Sequence, residues 1–369
     1  TENALYISYD DGENWQSLMS NLPPSPMYWI DIQEHFNDLV VGTYGRGIWI
    51  LDDLSPLQQL NENIEKKESH LFDIKPSYRF QNVTSSLQVL REASTGDSPP
   101  KGASINYWLK KGEDQIEIII TNKKNDTIKT IKDKGTKGFN RVWWDFTSDK
   151  TNDIIFRTKP LYADWFSLDE NRERKGEGSF SILSTPGIYN VTLKTAESST
   201  TKSLKVMKDP NSEGTLEDIS LQNELVTKIY DDLNLAINHI NSIETIRRQL
   251  LDLIATLKKS KQNKELMTMV EKLELEFLEI EKLLIQLKIT GTGQDGVRFP
   301  KMITEKLFYL ANNIQISDFK PADSYIEVYK ILKNRLNKIS EKLNKLKEGR
   351  LEESLKILKD EGVEIIVTK

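Results

Sequence analysis

The chain has 369 residues, of which 37% are hydrophobic and 29% charged, and its net charge of −5 comes from interleaved acidic and basic residues. That length allows roughly two or three domains, and the lack of a basic surplus argues against nucleic-acid binding. No apolar run is long enough to span a membrane. There is no cysteine, and the three histidines (His35, His70, His239) are far apart, so no disulfide, thiolate nucleophile, metal site or cofactor is expected.

The first element is Ser8-Tyr9-Asp10-Asp11-Gly12-Glu13-Asn14-Trp15. Ser8 and Asp10 are placed to bond back to turn amides, and Gly12 suits a position with φ > 0. Trp15 is expected to bury its ring between sheets. Apolar residues precede the turn (Leu5, Tyr6, Ile7), and the proline-rich 21–26 follows it. Short strands are then expected at Tyr28 to Ile32, Leu39 to Thr43 and Gly47 to Leu51, with Gly45 and Gly47 allowing a tight hairpin between the last two. The pattern ends at Asp52-Asp53.

A charged connector, Asn61 to Lys67, leads to further strands at His70 to Ile74 and Pro76 to Phe80. A Ser/Thr/Gly/Pro-rich loop is expected over Gln81 to Ser104. Strands are then expected at Ile105 to Leu109, Ile116 to Ile120, Ile128 to Ile131, Arg141 to Phe146, Phe180 to Leu183, Ile188 to Leu193 and Leu204 to Met207, the pattern of a β-sandwich. The insert 148–177 carries Phe156, Tyr162, Trp165 and Phe166. Aromatic residues on a long loop bind sugar or protein, or fold back to cover a domain.

After Asp209-Pro210 the period becomes heptad. Thr215 and Asp218 suggest a capping box, with Asp in the place of Glu or Gln. Val226, Leu233, Ile240 and Ile254 form one row, with Ile229, Ala236, Ile243, Leu250 and Leu257 as companions, and only Arg247 breaks the seam. A second helix repeats the rule with Leu266, Leu273, Ile280 and Leu287 beside Val270, Phe277 and Leu284. A shorter helix is expected over Pro300 to Ile316, with Pro300 in its first turn, followed by a fourth helix, a short one over 351–360 and a terminal strand at Val363 to Val367.

The 8–15 phrase matches the Asp-box pattern. Together with Asp38 to Asp53 it resembles the closing blade of sortilin-like, BNR-repeat propellers of exported bacterial proteins. Gly138 to Asp145 and Pro186 to Leu193 resemble the Ig-like domain named after the flagellar hook-cap protein. Arg298-Phe299-Pro300-Lys301-Met302 and the tail from Gly362 resemble the helical end of related propeller proteins. The resemblance implies a multi-domain, β-then-α chain: terminal blade or blades over 1–58, an Ig-like sandwich over 59–210 with the long loop 148–177, and an antiparallel helical bundle over 211–369.

One blade and a fraction cannot bury its own faces, so the remaining blades are expected on another chain or fragment of a longer protein, of which this chain is a piece. The expected setting is bacterial and secreted, periplasmic or on the cell surface. The expected role is non-catalytic: bracing the propeller and contacting a surface or outer-membrane assembly, with carbohydrate as a possible ligand. The competing reading is an accessory part of a sialidase-like or endoglucanase-like glycoside hydrolase whose active site lies on other blades. Tyr44 and Arg46 are the candidates for the propeller mouth, and the alternative is that Arg46 is structural. Asp10 and Asp11 are adjacent and point apart, so they do not straddle a glycosidic bond. No residue is assigned a catalytic role.

Overall fold

Alternating apolar residues build strands in the first part of the chain, and the heptad pattern builds helices in the rest, giving a β-then-α layout. The computed structural model describes residues 1–80, 100–162, 174–175, 178–260, 264–288 and 295–363. These fall into two units, Thr1–Asp149 with Ser184–Ser212 and Lys150–Leu183 with Glu213–Lys369.

In the first unit, β1 (Tyr6–Ile7) and β2 (Gln16–Ser17) form a hairpin, and β3 (Met27–Gln33), β4 (Asp38–Thr43) and β5 (Ile48–Leu51) form an antiparallel meander. Leu39 and Val41 of the central strand join Leu5, Met27 and Leu54 in a small core. Two short helices follow, α1 (Ser55–Gln59) and α2 (Glu62–Glu65), the second within the stretch read as a connector. The Asn61 side chain caps α2 by accepting from the amides of Asn63 and Ile64.

The remaining strands of this unit are β6 (Ser69–Leu71), β7 (Ser77–Arg79), β8 (Ala103–Leu109), β9 (Glu113–Thr121), β10 (Thr127–Gly135) and β11 (Gly138–Trp144). After β12 (Ile155–Phe156) and β13 (Arg174–Lys175), which belong to the second unit, come β14 (Gly187–Lys194) and β15 (Ser199–Lys208). They make a five-stranded sheet in the order β10-β9-β14-β15-β7 and a three-stranded sheet in the order β11-β8-β6. Only the β15–β7 pair of the larger sheet is parallel. Trp144, on the smaller sheet, packs edge-on against Tyr189 of the larger, with centroids 5.1 Å apart. Ile116, Ile118 and Ile120 alternate inward along β9.

The second unit contains α3 (Leu216–Ser260), α4 (Lys264–Leu284), α5 (Asp295–Arg298), α6 (Ile303–Ile314), α7 (Asp323–Lys345) and α8 (Glu352–Asp360). Thr215 and Asp218 cap α3 reciprocally, the Asp218 amide donating to Thr215 Oγ1 and the Thr215 amide to Asp218 Oδ2, each at 3.0 Å. The heptad residues of α3 and α4 are buried in one core with Leu307, Leu310 and Ile314 of α6 and Leu332, Leu336, Ile339 and Leu343 of α7. A π-helical turn, Leu346–Leu351, joins α7 to α8.

Three expectations need correction. The helix expected from Pro300 begins at Ile303, because Glu305 reaches back to accept from the Met302 amide at 3.0 Å and closes the first turn there. Phe180 to Leu183 is not a strand of the sandwich: Phe180 enters the helical core beside Phe308, with centroids 6.4 Å apart. The insert 148–177, placed with the sandwich by the expected boundaries, groups from Lys150 onward with the helices in its described part, in line with the reading that such a loop folds back to cover a domain. Residues 81–99 of the expected loop and 364–367 of the expected terminal strand lie outside the described residues.

Candidate functional site

The Asp-box turn is built from short side chains that replace a ladder. Ser8 Oγ accepts from the Gly12 amide at 2.8 Å and donates to Asp10 Oδ1 at 2.8 Å. Asp10 accepts from the Asn14 amide through Oδ1 and from the Asn14 side chain through Oδ2. The Asn14 amide, the Asn14 side chain and then Ser8 hold the Asp10 carboxyl below its usual range. Gly12, at φ +95°, lies under the Trp15 indole, whose Nε1 donates to the Gly12 carbonyl at 3.0 Å. Contrary to the expectation of a buried ring, Trp15 is 62% exposed, because no second sheet among the described residues covers it.

The β3–β5 sheet is also open. Its register puts Trp29, Gly42 and Ile48 side by side on one face, with Asp31, Val40 and Ile50 next to them. On that face Trp29 is 73%, Ile48 74% and Ile50 61% exposed. Soluble sheets ordinarily place polar residues on an open face. A cleft by β5 is lined by Leu5, Leu18, Leu22, Leu39, Trp49 and Leu51.

Tyr44 and Arg46 lie on the β4–β5 turn, where Gly45 and Gly47 take positive φ. Tyr44 is exposed and meets Tyr28 edge-on at 5.5 Å, while the Arg46 carbonyl accepts from Trp49 Nε1 at 3.0 Å. The end of the sheet is anchored by a polar network. Ser104 Oγ donates to Asp53 Oδ2 at 2.9 Å. Arg141 donates through Nε to Asn106 Oδ1 at 2.7 Å and through Nη2 to the carbonyl of Asp52 at 2.9 Å. Burial, with the nearby Asp38 carboxylate, raises the Asp52 pKa.

The insert aromatics are not brought together. Phe156 is buried in the helical core and is not available to a ligand. Tyr162 is exposed, with the Lys288 ammonium 5.6 Å from its ring centroid; the same ammonium lies 5.5 Å from that of Phe299. Trp165 and Phe166 lie outside the described residues.

Sequence reasoning noted Arg247 only as a break in the heptad seam and gave it no role. Arg247 breaks the apolar seam of α3 yet is only 2% exposed, surrounded by Glu244, Glu274 and Glu281. Its Nη1 donates to Glu281 Oε2 at 2.6 Å and Glu244 Oε1 at 3.2 Å, and its Nε to Glu274 Oε1 at 2.9 Å. Burial works against the guanidinium charge, but Glu281, Glu274 and Glu244 outweigh it and raise the Arg247 pKa. Glu244 also holds the strap 150–158, accepting from the Thr158 amide and hydroxyl, each at 2.8 Å, and from the Arg157 amide. Asn234, Asn238 and Asn241 continue this polar stripe along α3. The Asn152 amide donates to Asn234 Oδ1 at 2.9 Å and the Ile155 amide to Asn241 Oδ1 at 2.8 Å. The spacing Asn234, Asn238, Asn241, Glu244 is a helical face readable from sequence, and it was the available signal.

Among the described residues, no group of three or more His, Asp and Glu side chains could hold a metal ion, and no helix is long and apolar enough to cross a membrane. No protein-family model, curated protein or solved structure matches the chain.

Proposed function

We propose that the chain is a non-catalytic interaction segment of an exported propeller protein, bracing blades carried on another chain or fragment and joining a cell-surface or outer-membrane assembly. In this reading β1–β2 close one blade, β3–β5 supply three strands of the next, and the two facing sheets form the Ig-like spacer. The observation that carries it is the uncovered face of Trp29, Ile48 and Ile50 next to an intact Asp-box turn. Burying side chains of this size is worth about 1.5–3 kcal/mol each, so a large exposed cluster marks a contact surface. Light scattering tests the reading: the isolated chain is expected to self-associate through this face, and Ile48→Lys with Ile50→Lys to make it monomeric. A wild-type chain that stays monomeric and fails to bind an apolar dye would count against it.

The exposed Tyr28–Tyr44 pair beside Arg46 favours a second reading, an accessory carbohydrate contact of a glycoside hydrolase. Glycan-array binding that is lost in Tyr44→Ala would support that reading.

A further inference from the structure

Glu281 is one of the buried acidic side chains of the helical unit. It is 0% exposed, Arg247 reaches only its Oε2, and its Oε1 meets no donor among the described residues. Glu281 and Glu244 are crowded onto one donor: Glu281 Oε2 and Glu244 Oε1 both accept from Arg247 Nη1, at 2.6 and 3.2 Å. Two buried carboxylates so crowded do not both ionise, whereas one proton between them turns repulsion into a hydrogen bond. The charge balance agrees: among the ion pairs of the described residues, Glu244, Glu274 and Glu281 share one guanidinium, that of Arg247. The other polar groups at the site come from the strap, namely the Arg157 and Thr158 amides and the Thr158 hydroxyl; the Arg157 guanidinium donates to the Ile155 carbonyl at 3.2 Å.

We propose that Glu281 and Glu244 form a one-proton latch, and that loss of this proton as pH rises frees Arg157 and Thr158 from α3. The proton leaves to solvent from Glu281, with no other bond broken. The repulsion that follows falls on Glu244, which is the residue that holds the strap. The strap is stitched at its other end by Asn152, Asp153 and Ile155 to Asn234, Asn238 and Asn241, none of which changes charge on losing this proton. The release is therefore local to residues 157–158. Burial, and then Glu244, raise the Glu281 pKa well above the ordinary glutamate range. Above that range the folded chain keeps a proton that the unfolded chain has lost. Stability is therefore lost as pH rises through the window up to the raised value.

Amide exchange tests this with an internal control. Protection at Arg157 and Thr158 is compared with protection at Ile155, whose amide partner Asn241 does not titrate, from about pH 6 to about pH 9. In the wild-type chain the ratio is expected to fall with rising pH, by at most about tenfold per pH unit while the closed latch keeps a proton that the open form has lost, and to level off above that window. In Glu281→Gln, whose amide donates to Glu244 at every pH, the ratio is expected to stay flat. A flat ratio in the wild type overturns the proposal, and so does an equal fall in the variant. Should Glu281→Gln fail to fold, the wild-type ratio still decides, as does the infrared carbonyl band of a protonated glutamic acid at the low-pH end of the series, whose absence overturns the proposal.

Discussion

Arg247 illustrates how burial ranks interactions that look alike on paper. Lys66 and Glu62 form an exposed pair on a short helix, where water and salt screen the charges and little stability results. Among the described residues Arg247 is the only cation bonded to three buried carboxyl groups, so removing it leaves charges that water cannot reach. Arg247→Met is expected to destabilise the helical unit by about 3–5 kcal/mol, measured by urea denaturation, because the glutamates lose their partner while staying buried. A loss comparable to that of an exposed ion pair would mean that solvent enters the site. At the Asp box, Asp10→Ala is expected to disorder the 8–15 turn, seen as faster amide exchange at Asn14, while the exchange of β9 and β14 stays unchanged.

The helices show which elements were legible. Their apolar rows follow a 3.5-residue period that needs no knowledge of a partner, so the α3 and α4 stripes read from sequence are the buried ones. Thr215→Ala removes one half of the reciprocal cap on α3 and is expected to cost about 0.5–2 kcal/mol by thermal unfolding. The strap was not legible, because its partners on α3 are more than 80 positions away (82 for Asn152–Asn234) and nothing local distinguishes it from a sandwich loop. Phe180 was misassigned for the same reason, since an apolar residue reads alike in a strand and against a helix. The π turn was half legible. Leu346 and Leu351 are five residues apart, one more than an α-turn allows. Deleting Gly349 should restore four-residue spacing and keep Leu358 on the same face. The variant is expected to match or exceed the wild type in melting temperature, and a marked fall would show that the turn itself is required.

At the scale of the whole chain, the pH dependence and the open sheet lead to separate expectations. His239 bonds Ser340 at 2.8 Å across the α3–α7 contact. Burial, and then the Lys347 ammonium, lower its pKa below 6.5. Its contribution is therefore present above that value and lost as pH falls through the lowered one, so the helical unit weakens with falling pH through His239 and with rising pH through Glu281. His239→Gln is expected to flatten the acid side of a plot of melting temperature against pH and to leave the alkaline side unchanged. The open sheet bears on the account's main claim, that the β3–β5 face is covered by sheets from outside these residues. A photo-cross-linking side chain in place of Trp29, introduced in the producing cell, tests this claim most directly. The account predicts cross-links to strand segments carrying the same Asp-box turn. Cross-links confined to residues 1–58 of this chain, or to proteins without such strands, would contradict it.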